Sequence, residues 1–257
     1  MLSTLVSLVA TSYVAWYIER YEKMAVYPFD STYTTPDASG EPRLQETWVE
    51  TTDGARLLVW RADPAPGKPT VLYLMGNAGG LSERSDRFRR FLDQGFGIVA
   101  PAYRGSSGST GRPEEPVLVA DALALARSEA GPLVLYGESL GAAVAIRVAA
   151  EGVGRRLILE APFTSVPDLL HAQYPEEDLS HLVTQKWDSL AAIEKVTLPL
   201  LVVHGDRDHL VPFEMGRRIH DRAGSKKKQF LKVPGAGHSG LWTTDTELAL
   251  FGFLSED

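Results

Sequence analysis

The chain has 257 residues, 44% hydrophobic and 23% charged, with 26 basic against 33 acidic side chains and a formal charge of −7. Those proportions exclude a disordered or collagen-like chain, and the acidic surplus argues against a nucleic-acid partner, whose affinity rests on cations against phosphates. With no cysteine there is no disulfide framework, thiolate nucleophile or Cys-ligated zinc; the length suits one α/β domain with a short appendage.

Met1 to Ile18 carries no charged side chain, and Glu19, Arg20, Glu22 and Lys23 close the run. Eighteen apolar-rich residues sit at the short edge of a bilayer span, with Trp16 and Tyr17 where aromatic rings favour the headgroup level. The expectation is a single N-terminal membrane anchor within residues 1–25, its orientation open. A helix docked on the domain and a cleaved signal are the alternatives, the second lacking a basic n-region and a small-residue cleavage site.

Residues 26–257 read as one domain alternating strands and helices. Gln45–Thr52 and Ala55–Trp60 flank Asp53-Gly54, which predicts a two-residue hairpin turn. Short apolar runs follow at Thr70–Met75, Phe96–Ala100, Leu133–Tyr136, Leu157–Leu159, Leu200–Val203 and Gln229–Val233. Continuous apolar strands of this kind belong to a parallel sheet covered on both faces. Helical periods lie between them; in one, Phe88, Phe91 and Leu92 share a face while Arg84, Arg87 and Arg90 decorate the others. The fold class is therefore α/β, a mostly parallel, doubly wound sheet begun by an antiparallel hairpin. Residues 164–196 break the alternation and read as a short helical cap insertion.

Gly137-Glu138-Ser139-Leu140-Gly141 directly follows one apolar strand and precedes an alanine-rich helix. A Gly-x-Ser-x-Gly in that context puts the serine on a sharp turn that only nearly side-chain-free neighbours allow, with helix N–H groups aimed at the site. Ser139 is the candidate nucleophile. It needs a base, and His238 lies in the loop after the last strand, at the same sheet edge. His171, His181 and His220 read as solvated or packed, and His204 as bonding its own loop. For the acid that orients the imidazole, Asp208 in the loop after Leu200–Val203 leads, with Asp206 and Glu160 as competitors. The chain order Ser139, Asp208, His238 is that of the strand–turn–helix serine hydrolases. Backbone N–H groups of Leu140 and of Asn77, in the glycine-rich loop after Thr70–Met75, are the candidate oxyanion hole.

Together these segments resemble the α/β-hydrolase superfamily, and more narrowly the small membrane-anchored serine hydrolases similar to prolyl-aminopeptidase-like and depalmitoylase-like members. Tyr103–Gly111 resembles that group's loop after the fourth strand, Ala161–Ser165 the opening of its short lid, and Trp187-Asp188-Ser189 the lid's end. The position before Gly76, usually His in that group, is Met75 here. The resemblance implies an α/β-hydrolase fold and hydrolysis of an ester or thioester through an acyl-serine intermediate, without metal or cofactor. The implied substrate is a small acyl ester or acyl lipid, met at a membrane reached through the N-terminal helix. An aminopeptidase or amidase of the same fold, with Glu176, Glu177 and Asp178 to hold a substrate amine, and a catalytically silent scaffold are the alternatives.

Overall fold

The computed structural model describes residues 20–178 and 180–255. The expected anchor, residues 1–18, lies outside the described residues. Among those described, no helix is long and apolar enough to cross a membrane.

Eight strands form one sheet: β1 (Gln45–Glu50), β2 (Arg56–Ala62), β3 (Thr70–Leu74), β4 (Gly97–Pro101), β5 (Leu133–Glu138), β6 (Arg156–Glu160), β7 (Leu200–Gly205) and β8 (Lys228–Val233), in spatial order β1-β2-β4-β3-β5-β6-β7-β8. β1 and β2 pair antiparallel, β2 pairs antiparallel with β4, and every later pairing is parallel. Each apolar run of the sequence is one of these strands. Those from β3 to β7 are buried almost throughout because helices cover both faces, as continuous apolar strands require.

The hairpin differs from the sequence expectation. A two-residue turn would pair Thr52 with Ala55, but the Thr51 N–H donates to Ala55 O at 2.8 Å and the Gly54 N–H to Thr51 O at 3.0 Å. Residues 52–54 therefore form a three-residue loop, with Gly54 at φ +84° in the left-handed region that such a loop demands. Thr51 decides the outcome: its Oγ1 accepts the Ala55 N–H at 3.0 Å, which ties the strands together one residue earlier.

Between β6 and β7 lie the helices Val166–Gln173 and Ser189–Ile193 and the 3₁₀ turn Ser180–Leu182, in the span read as a cap. Ser165 caps the first helix by accepting the Asp168 N–H, and Asp188 caps the last by accepting from Ala191. Before the hairpin, residues 20–26 are helical, and the arm that follows is tied to the loop after β4 by the Ser107 N–H, which donates to Asp30 O at 2.8 Å. Tyr27 of that arm is buried; its hydroxyl donates to Gln185 Oε1 at 2.6 Å and accepts the Trp187 indole N–H at 3.0 Å.

Candidate active site

Ser139 sits between β5 and the helix Leu140–Ala150 with φ 52° and ψ −112°. A non-glycine residue held there stores about 1–3 kcal/mol of backbone strain, so its surroundings must over-determine it. They do: the Ser139 N–H donates to Glu160 O at 2.8 Å, and the glycines on either side permit contact that no side chain would allow. A Cβ on Gly137 would lie 2.4 Å from Gly141 O, and one on Gly141 only 1.9 Å from Leu74 O.

The structure brings Ser139, His238 and Asp208 together from the ends of three strands. His238 Nε2 is 3.1 Å from Ser139 Oγ, and its Nδ1 is 2.8 Å from Asp208 Oδ2. The other carboxylate oxygen, Oδ1, accepts the backbone N–H groups of Leu210 (2.9 Å) and Val211 (2.8 Å). Burial works against ionising Asp208, but hydrogen bonds from His204, His238 and the Val211 amide outweigh it and hold the carboxyl well below the usual carboxylate range. An anion so fixed selects the His238 tautomer with the proton on Nδ1, which leaves Nε2 to take the serine proton.

The competitors for the acid are occupied elsewhere. Asp206 Oδ1 accepts the Gly235 N–H at 2.6 Å, so it fastens the loop that carries His238. Glu160 receives both terminal nitrogens of Arg87 (2.9 and 3.0 Å), the Trp242 indole N–H (3.0 Å) and the Tyr136 hydroxyl. Of the other histidines, His171 and His181 lie in the cap, and His220 pairs with Asp221 at 2.9 Å. His204 is fully buried; its Nε2 lies 3.0 Å from Val211 O and 3.4 Å from Asp208 Oδ2, so it braces the acid as well as its own loop. That brace fits only because residue 216 is glycine, whose Cβ would come 2.2 Å from His204 Nδ1.

Leu140 opens its helix, so its amide has no carbonyl one turn earlier to bond. Asn77 lines both cavities that reach Ser139, and Leu140 lines the apolar one with it. The Asn77 side chain does separate work: Nδ2 donates to Val26 O at 3.0 Å and so ties the loop to the N-terminal arm. Met75, where the resemblance leads one to expect histidine, is fully buried.

Two cavities of opposite character meet at the serine. One, about 200 Å³, is walled by Phe163, Val166, Leu169, Leu170, Leu210 and Val211 with Ala25 and Val26 of the arm. The other, about 310 Å³, is polar and holds Glu83, Arg84, Arg87, Glu138, Glu160 and Ser239. The polar wall corrects the sequence reading of Arg84 and Arg87 as surface decoration. Arg84 donates to Glu138 at 2.9 Å, and Arg87 bridges Glu138 (3.2 Å) and Glu160. Burial works to raise the Glu138 carboxyl pKa, yet Arg87 and Arg84 outweigh it and the pKa falls below its ordinary value. A sequence signal existed. Glu138 and Glu160 end adjacent strands in direct register, and carboxylates buried side by side require cations, which the segment 84–90 supplies.

Residues 74–182 match the model of the alpha/beta hydrolase family, and residues 177–245 match that of serine aminopeptidase, S33. The first span contains Asn77, Ser139 and Leu140, the second Asp208 and His238. The chain belongs to the α/β-hydrolase superfamily. It is 34% identical to an uncharacterized protein of Mycobacterium tuberculosis over 98% of this chain and 93% of that one. It is 29% identical to the lysophosphatidylserine lipase ABHD12 of Rattus norvegicus, over 72% of this chain and 52% of the lipase. Among solved structures, the esterase Pf2001 of Pyrococcus furiosus superposes with a TM-score of 0.72 at 19% identity, covering 89% of this chain and 95% of that one. At that identity the likeness concerns the fold.

Proposed function

We propose that this member of the superfamily is a serine hydrolase that cleaves a carboxylic ester or thioester of an acyl amphiphile through an acyl-serine intermediate, at a membrane into which residues 1–18 anchor it. The observation that carries the reading is the hydrogen-bonded relay Ser139–His238–Asp208, at 3.1 and 2.8 Å, opening directly on an apolar cavity. Ser139 Oγ attacks the acyl carbon as His238 Nε2 removes its proton. The amides of Asn77 and Leu140 receive the developing oxyanion. His238 then returns the proton to the leaving alcohol or thiol, and a water molecule repeats the sequence to free the acid. The acyl chain occupies the apolar cavity and the leaving group the polar one. A relative named as a lysophosphatidylserine lipase supports a monoacyl lipid as the substrate class.

Aminopeptidase activity is the second reading, favoured by the match of residues 177–245 to the S33 model. Against it, Glu138 and Glu160 in the polar cavity are already committed to Arg84 and Arg87, and Glu176, Glu177 and Asp178 are exposed and absent from both cavity walls. Wild type and Ser139→Ala are compared with a fluorophosphonate probe, p-nitrophenyl acyl esters and aminoacyl nitroanilides. The proposal expects labelling and ester turnover that depend on Ser139, with little nitroanilide cleavage. Labelling that persists in Ser139→Ala would refute it, and preferential nitroanilide cleavage would move the assignment to the second reading.

A further inference from the structure

Among the described residues, eight large hydrophobic side chains are exposed: Tyr21, Met24, Tyr33, Trp48, Tyr174, Leu182, Leu210 and Leu248. Five of them lie on, or next to, the segments that wall the apolar cavity. Tyr21 and Met24 lie on the helical arm that also contributes Ala25 and Val26 to the wall of the apolar cavity, and positions 21, 24 and 25 share a helix face. Tyr174 follows the cap helix whose Leu169, Leu170 and Gln173 line that cavity. Leu182 ends the 3₁₀ turn packed against the same helix, and Leu210 lines the cavity while half of it faces solvent.

The arm is held in this position, not merely adjacent to it. Glu22 accepts the backbone N–H groups of Thr184 (2.7 Å) and Gln185 (2.6 Å), and Asn77 holds Val26 O from the other side. The chain that precedes this arm is the uncharged run 1–18, so the apolar rim and the apolar segment are separated by a residue or two of backbone. Two apolar features placed so close call for one apolar environment. Isolated exposed hydrophobics are ordinary, but five on the segments that wall one apolar cavity mark an interaction surface.

We propose that this rim rests on a phospholipid bilayer and opens the apolar cavity toward the lipid, so that an acyl chain passes from the membrane to Ser139 without crossing water. The inference builds on the anchored acyl hydrolase put forward above and names the surface that meets its substrate. The lipid it fits is zwitterionic. Among the described residues, Glu22, Glu176, Glu177 and Asp178 offset Arg20, Lys23 and Lys186 on these segments, leaving no polybasic patch there for anionic headgroups, and the run Lys226–Lys228 lies at the start of edge strand β8 instead. Contact is apolar, and therefore weakly dependent on salt.

The absence of native cysteine permits single-site labelling of the full chain. Met24→Cys, Leu182→Cys and, as references, Trp48→Cys and Leu248→Cys carry an environment-sensitive fluorophore. Each is reconstituted in phosphatidylcholine vesicles with and without nitroxide-labelled lipid. Residue 182 is decisive, because residue 24 would stay near the bilayer by tethering alone. The proposal expects a blue shift and lipid quenching at 24 and 182, none at 48 and 248, and little change on adding salt. A probe at 182 that stays as wet as those at 48 and 248 would overturn it. So would a shift that appears without lipid and grows with protein concentration, since the rim would then bind a second copy. In Leu182→Glu, hydrolysis of a long-chain ester embedded in the vesicles should fall roughly tenfold while a water-soluble short ester is turned over within about twofold of wild type. Equal rates on the embedded ester would count against the proposal. Fluorophosphonate labelling of the same variants reads Ser139 separately, so a failure of the membrane surface and a failure of the acyl-serine chemistry give different results.

Discussion

The sharpest energetic consequence of the structure is the cost of removing Arg87. Its side chain is 22% exposed; the guanidinium is bidentate on Glu160, whose side chain is 3% exposed, and also reaches Glu138. Arg87→Met keeps much of the stem's packing and removes the charge, leaving a carboxylate stranded beside β6. Breaking a buried pair from one side costs about 3–5 kcal/mol. The Tyr136 and Trp242 donors that remain on Glu160 place the expectation near the lower end, about 3 kcal/mol. At an m-value of roughly 2–3 kcal/mol/M this lowers the urea midpoint by about 1–1.5 M. Arg87→Met/Glu160→Gln removes both charges and should recover most of the loss. The pH dependence has a defined sign. In wild type the Glu138 carboxyl is held below its ordinary value of 4.5, so its stabilisation is present above that pH and is lost as pH falls through the depressed folded pKa. Without Arg87, Glu138 keeps Arg84 but loses its other cationic partner, so its folded pKa moves back up toward the ordinary value. The part of the deficit carried by Glu138 is then full where that carboxyl is ionised and narrows as pH falls below about 4.5, so the variant's deficit should be smaller at pH 4 than at pH 8. Chemical denaturation of the three proteins at both pH values measures this. A deficit under about 1 kcal/mol, or a double variant no more stable than Arg87→Met, would refute the reading of a buried charge network.

Three further outcomes follow from the geometry. Asp208→Asn should lower kcat by about 10³–10⁴, because the amide favours the wrong His238 tautomer, and steady-state assays of the two proteins at pH 8 measure the loss. Asp206→Ala, which frees the Gly235 amide, should cost about 1–2 kcal/mol of stability and far less activity than Asp208→Asn, so comparable losses in the two would unseat Asp208 as the acid. Leu170→Trp fills the apolar cavity, so a panel of acyl esters should show long chains losing most of their kcat/KM while acetate is little affected; an unchanged chain-length profile would place the acyl chain elsewhere.

The strands were legible because their apolar runs are continuous, a pattern with few other uses in a chain of this length. The sharp turn at Ser139 was legible because its backbone packs so closely that positions 137 and 141 must be glycine, a requirement that survives as a motif. Asp208 could be ranked above Asp206 only by loop position. What separates them is three-dimensional: the Leu210 and Val211 amides and His204 converge on one carboxylate, while Gly235 claims the other. The inward turn of Arg84 and Arg87 was hidden because helical periodicity places polar residues outside by default. The demand for cations arises from Glu138 and Glu160, roughly fifty and seventy residues away along the chain. The hairpin turn escaped for a local reason, the hydrogen bonds of the Thr51 hydroxyl, which the Asp-Gly pattern alone does not encode.

The acyl-serine chemistry is tested most directly by stopping the reaction of the full chain with a p-nitrophenyl acyl ester in acid during its first turnover. Digestion and mass mapping of the peptides then locate the acyl group. The structure predicts a single acylated peptide, the one carrying Ser139, formed with the burst of p-nitrophenol and absent from Ser139→Ala. Acyl transfer to another residue, or steady ester turnover by Ser139→Ala, would contradict it.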